Sequence, residues 1–359
     1  MSNGIIKNVS AEFSNKAIRV SFIMVVFVIY IHADNLAYYG LENATDLLPY
    51  KVIDLLANGI GGIAVPFYFM LSGYWFFRFN IHSESAWESI KNKLSKRIFS
   101  ILIPYLLWNT FGTIFYMVIP RFPFVASAMN GSATEVTILN LIKGIFFHAY
   151  YFPFWYLQDL IVLMALSPLF LLVLKRKQFS LLVLTIMAVA HLFNTPLMII
   201  HTASLFFFYL GSSLAVYYRD WFEKRKGRNY SFVCLMVLIL LIELRLQNYR
   251  IISDIAYLLS PLAMWNMFDL FNQSGKLGYQ KETLWFEKQS FFIYASHIII
   301  VTTVGKVLLK VGGAGDNSTW IIGNFIVAPF ITLFVIYVLS RLLSRYCSRF
   351  YGIISGNRG

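Results

Sequence analysis

The chain has 359 residues, of which 58% are hydrophobic and only 13% charged, and a mean hydropathy of +0.65. About a quarter of the residues of a soluble domain are charged, so this balance excludes one and marks a polytopic helical membrane protein. The net charge of +13 would suit a nucleic-acid binder, but the basic residues lie in short clusters between apolar segments, and no nucleic-acid partner is expected.

About ten apolar spans follow one another, roughly 17–33, 59–79, 98–119, 155–174, 179–195, 197–218, 229–245, 252–271, 289–308 and 320–342. The expected class is therefore all-α, with about ten transmembrane helices. The first run ends in His-Ala-Asp rather than a small-residue cleavage site, so it is expected to be a retained span. If the N-terminus is cytoplasmic, the outer segments hold only Lys51, Arg121, Lys143, Arg245, Arg250, Lys306 and Lys310, leaving 23 of the 30 Lys and Arg residues inside. The positive-inside rule then puts both termini in the cytoplasm.

The first span, Arg19 to Asn35, opens on a cation and ends on His32, Asp34 and Asn35. A helix puts Arg19 and His32 roughly 20 Å apart. Ionisable residues at membrane depth are functional candidates. The plain alternative is that His32 and Asp34 cap the helix at the outer water interface. The second span opens on Asn58-Gly59-Ile60-Gly61-Gly62, contains Pro66 and closes on Phe67-Tyr-Phe-Met-Leu-Ser72-Gly73-Tyr74. Such small residues permit close helix contact.

A basic inner loop follows, with Lys91, Lys93, Lys96 and Arg97 just before Ile103-Pro104-Tyr105. The longest outer loop ends in an aromatic run, Phe146-Phe-His148-Ala-Tyr-Tyr-Phe-Pro-Phe154-Trp155-Tyr156-Leu157-Gln158-Asp159. Interfacial belts explain much of it; lining an outward cavity is the other reading. Cys234 and Cys347 show no metal or redox spacing, and no Walker loop, HExxH or GxGxxG occurs, so neither a metal nor a bound cofactor is expected.

Taken together, five stretches resemble the membrane-bound acyltransferase 3 family, of the surface polysaccharide O-acetyltransferase type. They are the His-ended first span, Val65-Pro-Phe-Tyr-Phe-Met-Leu-Ser72-Gly73-Tyr, Lys96-Arg97…Pro104-Tyr105, Phe154-Trp155-Tyr156-Leu157, and Phe291-Phe-Ile-Tyr294-Ala-Ser-His297. The resemblance implies ten spans, acetyl-CoA or another acyl-CoA as co-substrate reached from the cytoplasm, and transfer to a hydroxyl of a surface glycan or lipid-linked glycan. It also implies a bacterial inner membrane protein in contact with the bilayer, residues 1–359 forming one membrane domain without an appended soluble domain.

The family's first-span motif is an Arg, ten residues, then the catalytic His. His32 matches the His, whereas the matching register position is Ser21 and twelve residues separate Arg19 from His32. Eleven residues return a helix to nearly the same face and thirteen do not, so Arg19 is either the donor-side Arg or an interfacial anchor. The family's Arg-x-x-Arg pair is met by Arg97 but has Ser100 in the second place, and Lys93 or Lys96 is the substitute charge for CoA phosphates.

O-acyl transfer needs a base, and His suits it near neutral pH. His32 is the expected base, with Asp34 or Asn35 as its orienter. Arg97, Lys93, Lys96, Ser72 and Arg19 are donor-side candidates, with positive-inside placement the plain account of the basic cluster. Asn35, Trp155, Tyr156, His148 and His297 are acceptor-side candidates. His297 has a second reading, as a buried residue joining two helices. Ser72 lacks the context of a nucleophile elbow and is read as tight helix packing near the donor. Two alternatives remain open: an exporter or flippase of a glycan or lipid, which would not need His32, and the same chemistry with succinyl or another acyl group.

Overall fold

In the computed structural model, residues 9–118, 137–146, 151–193, 195–197, 199–246, 249–272, 282–312 and 317–356 are described. His148 and most of the long loop before it lie outside them. Among the described residues the structure is helical. We label the principal helices α1 (Ala11–His32), α2 (Ala64–Phe77), α3 (Ala86–Arg97), α4 (Ile103–Val118), α5 (Trp155–Ala165), α6 (Ser167–Leu174), α7 (Lys177–Leu192), α8 (Thr202–Tyr217), α9 (Arg228–Arg245), α10 (Arg250–Met267), α11 (Ser290–Gly312) and α12 (Ser318–Tyr346). Short π and 3-10 turns lead from Leu55 into α2, and a π turn at Ile98–Leu102 joins α3 to α4.

Every expected span falls on helix, with 155–174 divided between α5 and α6. Among the described residues six helices are long and apolar enough to cross a bilayer, or seven if α5 and α6, bent by 56°, form one span. Pro168 sets that bend: it occupies the first turn of α6, where its missing N–H costs nothing, and closes α5 before it. The helices α7 and α8 are apolar but shorter.

Two contacts fix the bundle's centre. The first is α2 against α8, which meet backbone to backbone. A Cβ on Gly73 would strike the Phe208 carbonyl, and one on Gly211 would strike the Met70 carbonyl, so each glycine is required by the other helix's backbone. This agrees with reading Ser72-Gly73 as tight packing. The second contact is α1 beside α11. Arg19 Nε lies 3.6 Å from Glu287 just before α11, and the His32 and His297 rings meet further along, so the two helices run parallel.

Arg19, Arg78, Arg97 and Glu287 define one end of the bundle, called here the basic end. It is cemented by aromatic packing of Phe13 on Tyr74, Trp75, Phe222 and Trp265. Beside them Lys16 pairs with buried Asp269 at 2.9 Å.

Candidate active site

One face of α1 organises the site. Ser14, Ala17, Ile18 and Ser21 line a partly open cavity of about 490 Å³ at the basic end. Their spacing is that of a single helical face, and eleven residues beyond Ser21 the same face carries His32. Facing walls come from Tyr68 and Ser72 of α2, Arg97 of α3, Tyr156 of α5, and Ser290 and Tyr294 of α11. Tyr68 Oη donates to the Ser21 carbonyl at 2.5 Å, which fixes α2 to α1 at the height of that serine. Ser72 Oγ and Tyr156 Oη lie 3.4 Å apart.

Aromatic rings link the cavity to the histidines. Tyr156 packs edge-on to Tyr294, with centroids 5.7 Å apart. Tyr294 in turn packs against His297 at 6.0 Å, and His297 against His32 at 5.1 Å. Phe152 stands edge-on to His32 on its other side, at 5.9 Å.

His32 is the last residue of α1, yet the bundle extends beyond it. The chain continues past it through a 3-10 turn at Leu36–Tyr39, and the partner His297 stands fifteen residues before the end of α11, roughly 22 Å of helix. The imidazoles therefore sit within the bundle's length. His297 is completely buried and His32 partly exposed.

The expected site residues divide into those the fold gathers and those it employs elsewhere. Arg97, Ser72 and Tyr156 face the cavity. Asp34 is exposed and accepts the Leu36 backbone N–H at 3.0 Å, closing a turn rather than meeting the His32 ring. Asn35 is buried and donates to the Ile321 carbonyl at 3.2 Å, which ties the end of α1 to α12. Lys93 Nζ donates to the Trp75 and Phe76 carbonyls at 2.9 and 2.6 Å, at the end of α2. Lys96 is exposed. Arg19 reaches Glu287 and the Glu282 carbonyl. Trp155 packs edge-on to His201 at 4.8 Å.

Three features went unread in the sequence. The Ser14–Ser21 stripe was visible in principle, as two serines at i and i+7 with Ala17 and Ile18 between them at i+3 and i+4. The second is the Asp159 carboxylate, which accepts from both the backbone and the ring N–H of His201, the latter at 2.8 Å. The third is Glu223, bound by Tyr74 and Arg78. These last two join residues distant in sequence, and no local pattern announces them. Among the described residues no cluster of three or more His, Cys, Asp or Glu side chains forms a metal site.

A multi-helix membrane bundle with a cavity along one face of α1 and a pair of packed imidazoles further along defines the class: a polytopic helical membrane protein. The chain matches the acyltransferase 3 family model, described as an acyltransferase domain, over residues 22–344. It belongs to that family and is a membrane acyltransferase. The match begins three residues beyond Arg19 and includes His32, Arg97 and His297. It favours the transferase reading over the exporter. No curated protein and no solved structure matches the chain.

Proposed function

We propose that this protein moves an acetyl or similar acyl group from cytoplasmic acyl-CoA to a hydroxyl of a surface glycan, with His32 as the catalytic base. The observation that carries the reading is the continuous α1 face, which runs from a cavity at the basic end to His32. A cavity of this size suits a small organic group rather than a whole nucleotide cofactor. The acyl-pantetheine arm would enter it, leaving the CoA phosphates near Arg97 at the mouth. Positive-inside asymmetry makes the basic end cytoplasmic, consistent with a donor made in the cytoplasm of a bacterium whose inner membrane holds the enzyme.

The acceptor hydroxyl would approach from the opposite end, where His32 is partly exposed. One ring nitrogen of His32 takes the hydroxyl proton as the oxygen attacks the thioester carbonyl. The C–S bond breaks, and the proton finally neutralises the CoA thiolate. A glycan is favoured as acceptor because the aromatic side chains near His32, including Phe152, suit stacking against sugar faces.

The test is incorporation of label from acetyl-[14C]CoA into base-labile esters of surface polysaccharide, using membranes that contain the protein. His32→Ala should lower the maximal rate about 10²–10⁴-fold, the usual contribution of a general base. Full ester incorporation by that variant overturns the mechanism. Labelled product in lipid rather than polysaccharide replaces the acceptor class.

A further inference from the structure

His297 has a fixed tautomer. Its Nδ1 lies 2.6 Å from the Tyr294 carbonyl oxygen, which can only accept, so Nδ1 carries the proton. In the neutral ring Nε2 is then a lone-pair acceptor. That atom is fully enclosed and has no hydrogen-bond partner. A buried acceptor left unmade costs about 1–3 kcal/mol, so such an atom asks for an explanation.

His32 presents the complementary deficiency. Its ring makes no hydrogen bond among the described residues, and Asp34, the nearest acid in sequence, closes a turn at Leu36. Nothing fixes which His32 nitrogen is protonated except what lies beside it, and that is His297, 5.1 Å away between ring centroids. An imidazole nitrogen stands about 1.1 Å from its ring centre, so at this separation two nitrogens turned toward each other lie about 2.9 Å apart, within hydrogen-bond range.

We infer that His297 is the positioning residue of the reaction centre: its Nε2 accepts the N–H of His32 and directs the other His32 nitrogen, lone pair free, at the acceptor hydroxyl. The inference rests on the proposed role of His32. When His32 takes the hydroxyl proton it becomes an imidazolium, and the N–H facing His297 becomes a much stronger donor. His297 then shares that proton until it passes back through His32 to the CoA thiolate, so no atom or charge is left over. Tyr294 holds His297 by its carbonyl, as a third group orients the base in nucleophile–base arrangements. Two further contacts hold this backing in place. Tyr294 Oη donates to the Pro153 carbonyl, and Tyr151 Oη donates to the Ala295 carbonyl at 2.7 Å. The segment that carries Phe152 to His32 is thus bonded to the helix that carries His297.

Two substitutions of similar size separate positioning from packing. In His297→Gln the amide N–H can still donate to Tyr294 and the amide oxygen can accept from His32; His297→Leu fills the space with no acceptor. With membranes and acetyl-[14C]CoA, His297→Leu should lower the maximal transfer rate at least about 100-fold, the scale of a lost orienter of a catalytic imidazole. The acetyl-CoA concentration at half-saturation should stay within about threefold, because His297 does not line the donor cavity. His297→Gln should be at least about tenfold faster than His297→Leu. A His297→Leu protein as fast as wild type, or Gln and Leu variants equally slow, overturns the inference. His32→Ala, run alongside, tells the two readings apart. If it transfers at the full rate the proposed mechanism itself fails, whereas a dead His32→Ala beside an active His297→Leu removes only the role given to His297.

Discussion

Lys93 and Arg97 stand one helical turn apart on α3, yet only Arg97 faces the cavity; the Lys93 ammonium is bonded to the Trp75 and Phe76 carbonyls at the end of α2. Positive charge at the last carbonyls of a helix satisfies groups that no further turn can reach. The two cations therefore do different work. Arg97→Ala should raise the half-saturating acyl-CoA concentration about ten- to a hundredfold, as expected from about 1.5–3 kcal/mol for a hydrogen bond to a charged group. Its thermal midpoint should change little. Lys93→Ala should do the reverse, lowering the midpoint in detergent while the acyl-CoA dependence of the surviving protein stays near wild type. Saturation curves and thermal unfolding of both variants decide it, and a Lys93→Ala protein with weakened acyl-CoA binding and unchanged stability would return Lys93 to the donor site.

Glu223 supplies a pH dependence at the basic end. Burial alone would push its carboxyl up, but hydrogen bonds from Arg78, at 2.6 Å, and from Tyr74, at 2.5 Å, outweigh it and hold the group below the ordinary carboxylate range. A carboxyl depressed in the folded state stabilises the fold above its unfolded pKa. That contribution is lost as pH falls through the folded value. The thermal midpoint of the wild type should therefore exceed that of Glu223→Gln near neutral pH, and the gap should close as the pH falls below the ordinary carboxylate value and through the depressed folded one. Because the pair is partly solvated, the gap is expected to be a few degrees at most. A gap independent of pH would assign the effect to geometry rather than charge.

Much of this architecture was legible in the chain. The apolar runs all fall on helix, but among the described residues only six or seven are long enough to cross a bilayer, because α7 and α8 are short and α5 and α6 are broken at Pro168. Ser72-Gly73 announced close packing, and the α2–α8 contact supplies it through reciprocal glycines. The site was legible only in part. His32 stood out because an imidazole among apolar residues is costly, but its partner could not be read from spacing: His297 reaches it only because α1 and α11 run parallel. Asp34 and Lys93 looked available for catalysis and donor binding because sequence shows a side chain's chemistry and not its prior engagement. One is engaged by a turn N–H and the other by helix-end carbonyls.

The same parallel helices give Arg19 and Ser21 different surroundings. Arg19 is near the family's expected position but does not itself line the cavity; it pairs at 3.6 Å with Glu287, which does. Partly exposed ion pairs contribute about 0–1 kcal/mol. Ser21 occupies the register eleven residues before His32, lines the cavity, and has its carbonyl held by Tyr68. Arg19→Ala should accordingly keep the maximal transfer rate within about threefold of wild type. Ser21→Phe places a ring in the volume proposed for the acyl-pantetheine arm, where overpacking typically costs about 1–3 kcal/mol. It should raise the half-saturating acyl-CoA concentration at least about tenfold, while Ser21→Ala stays near wild type because only a hydroxyl is lost. Measuring all three in one membrane preparation makes the comparison internal. An inactive Arg19→Ala beside an unimpaired Ser21→Phe would move the donor path off the Ser21 face of α1 and onto the Arg19–Glu287 pair at the cavity's edge.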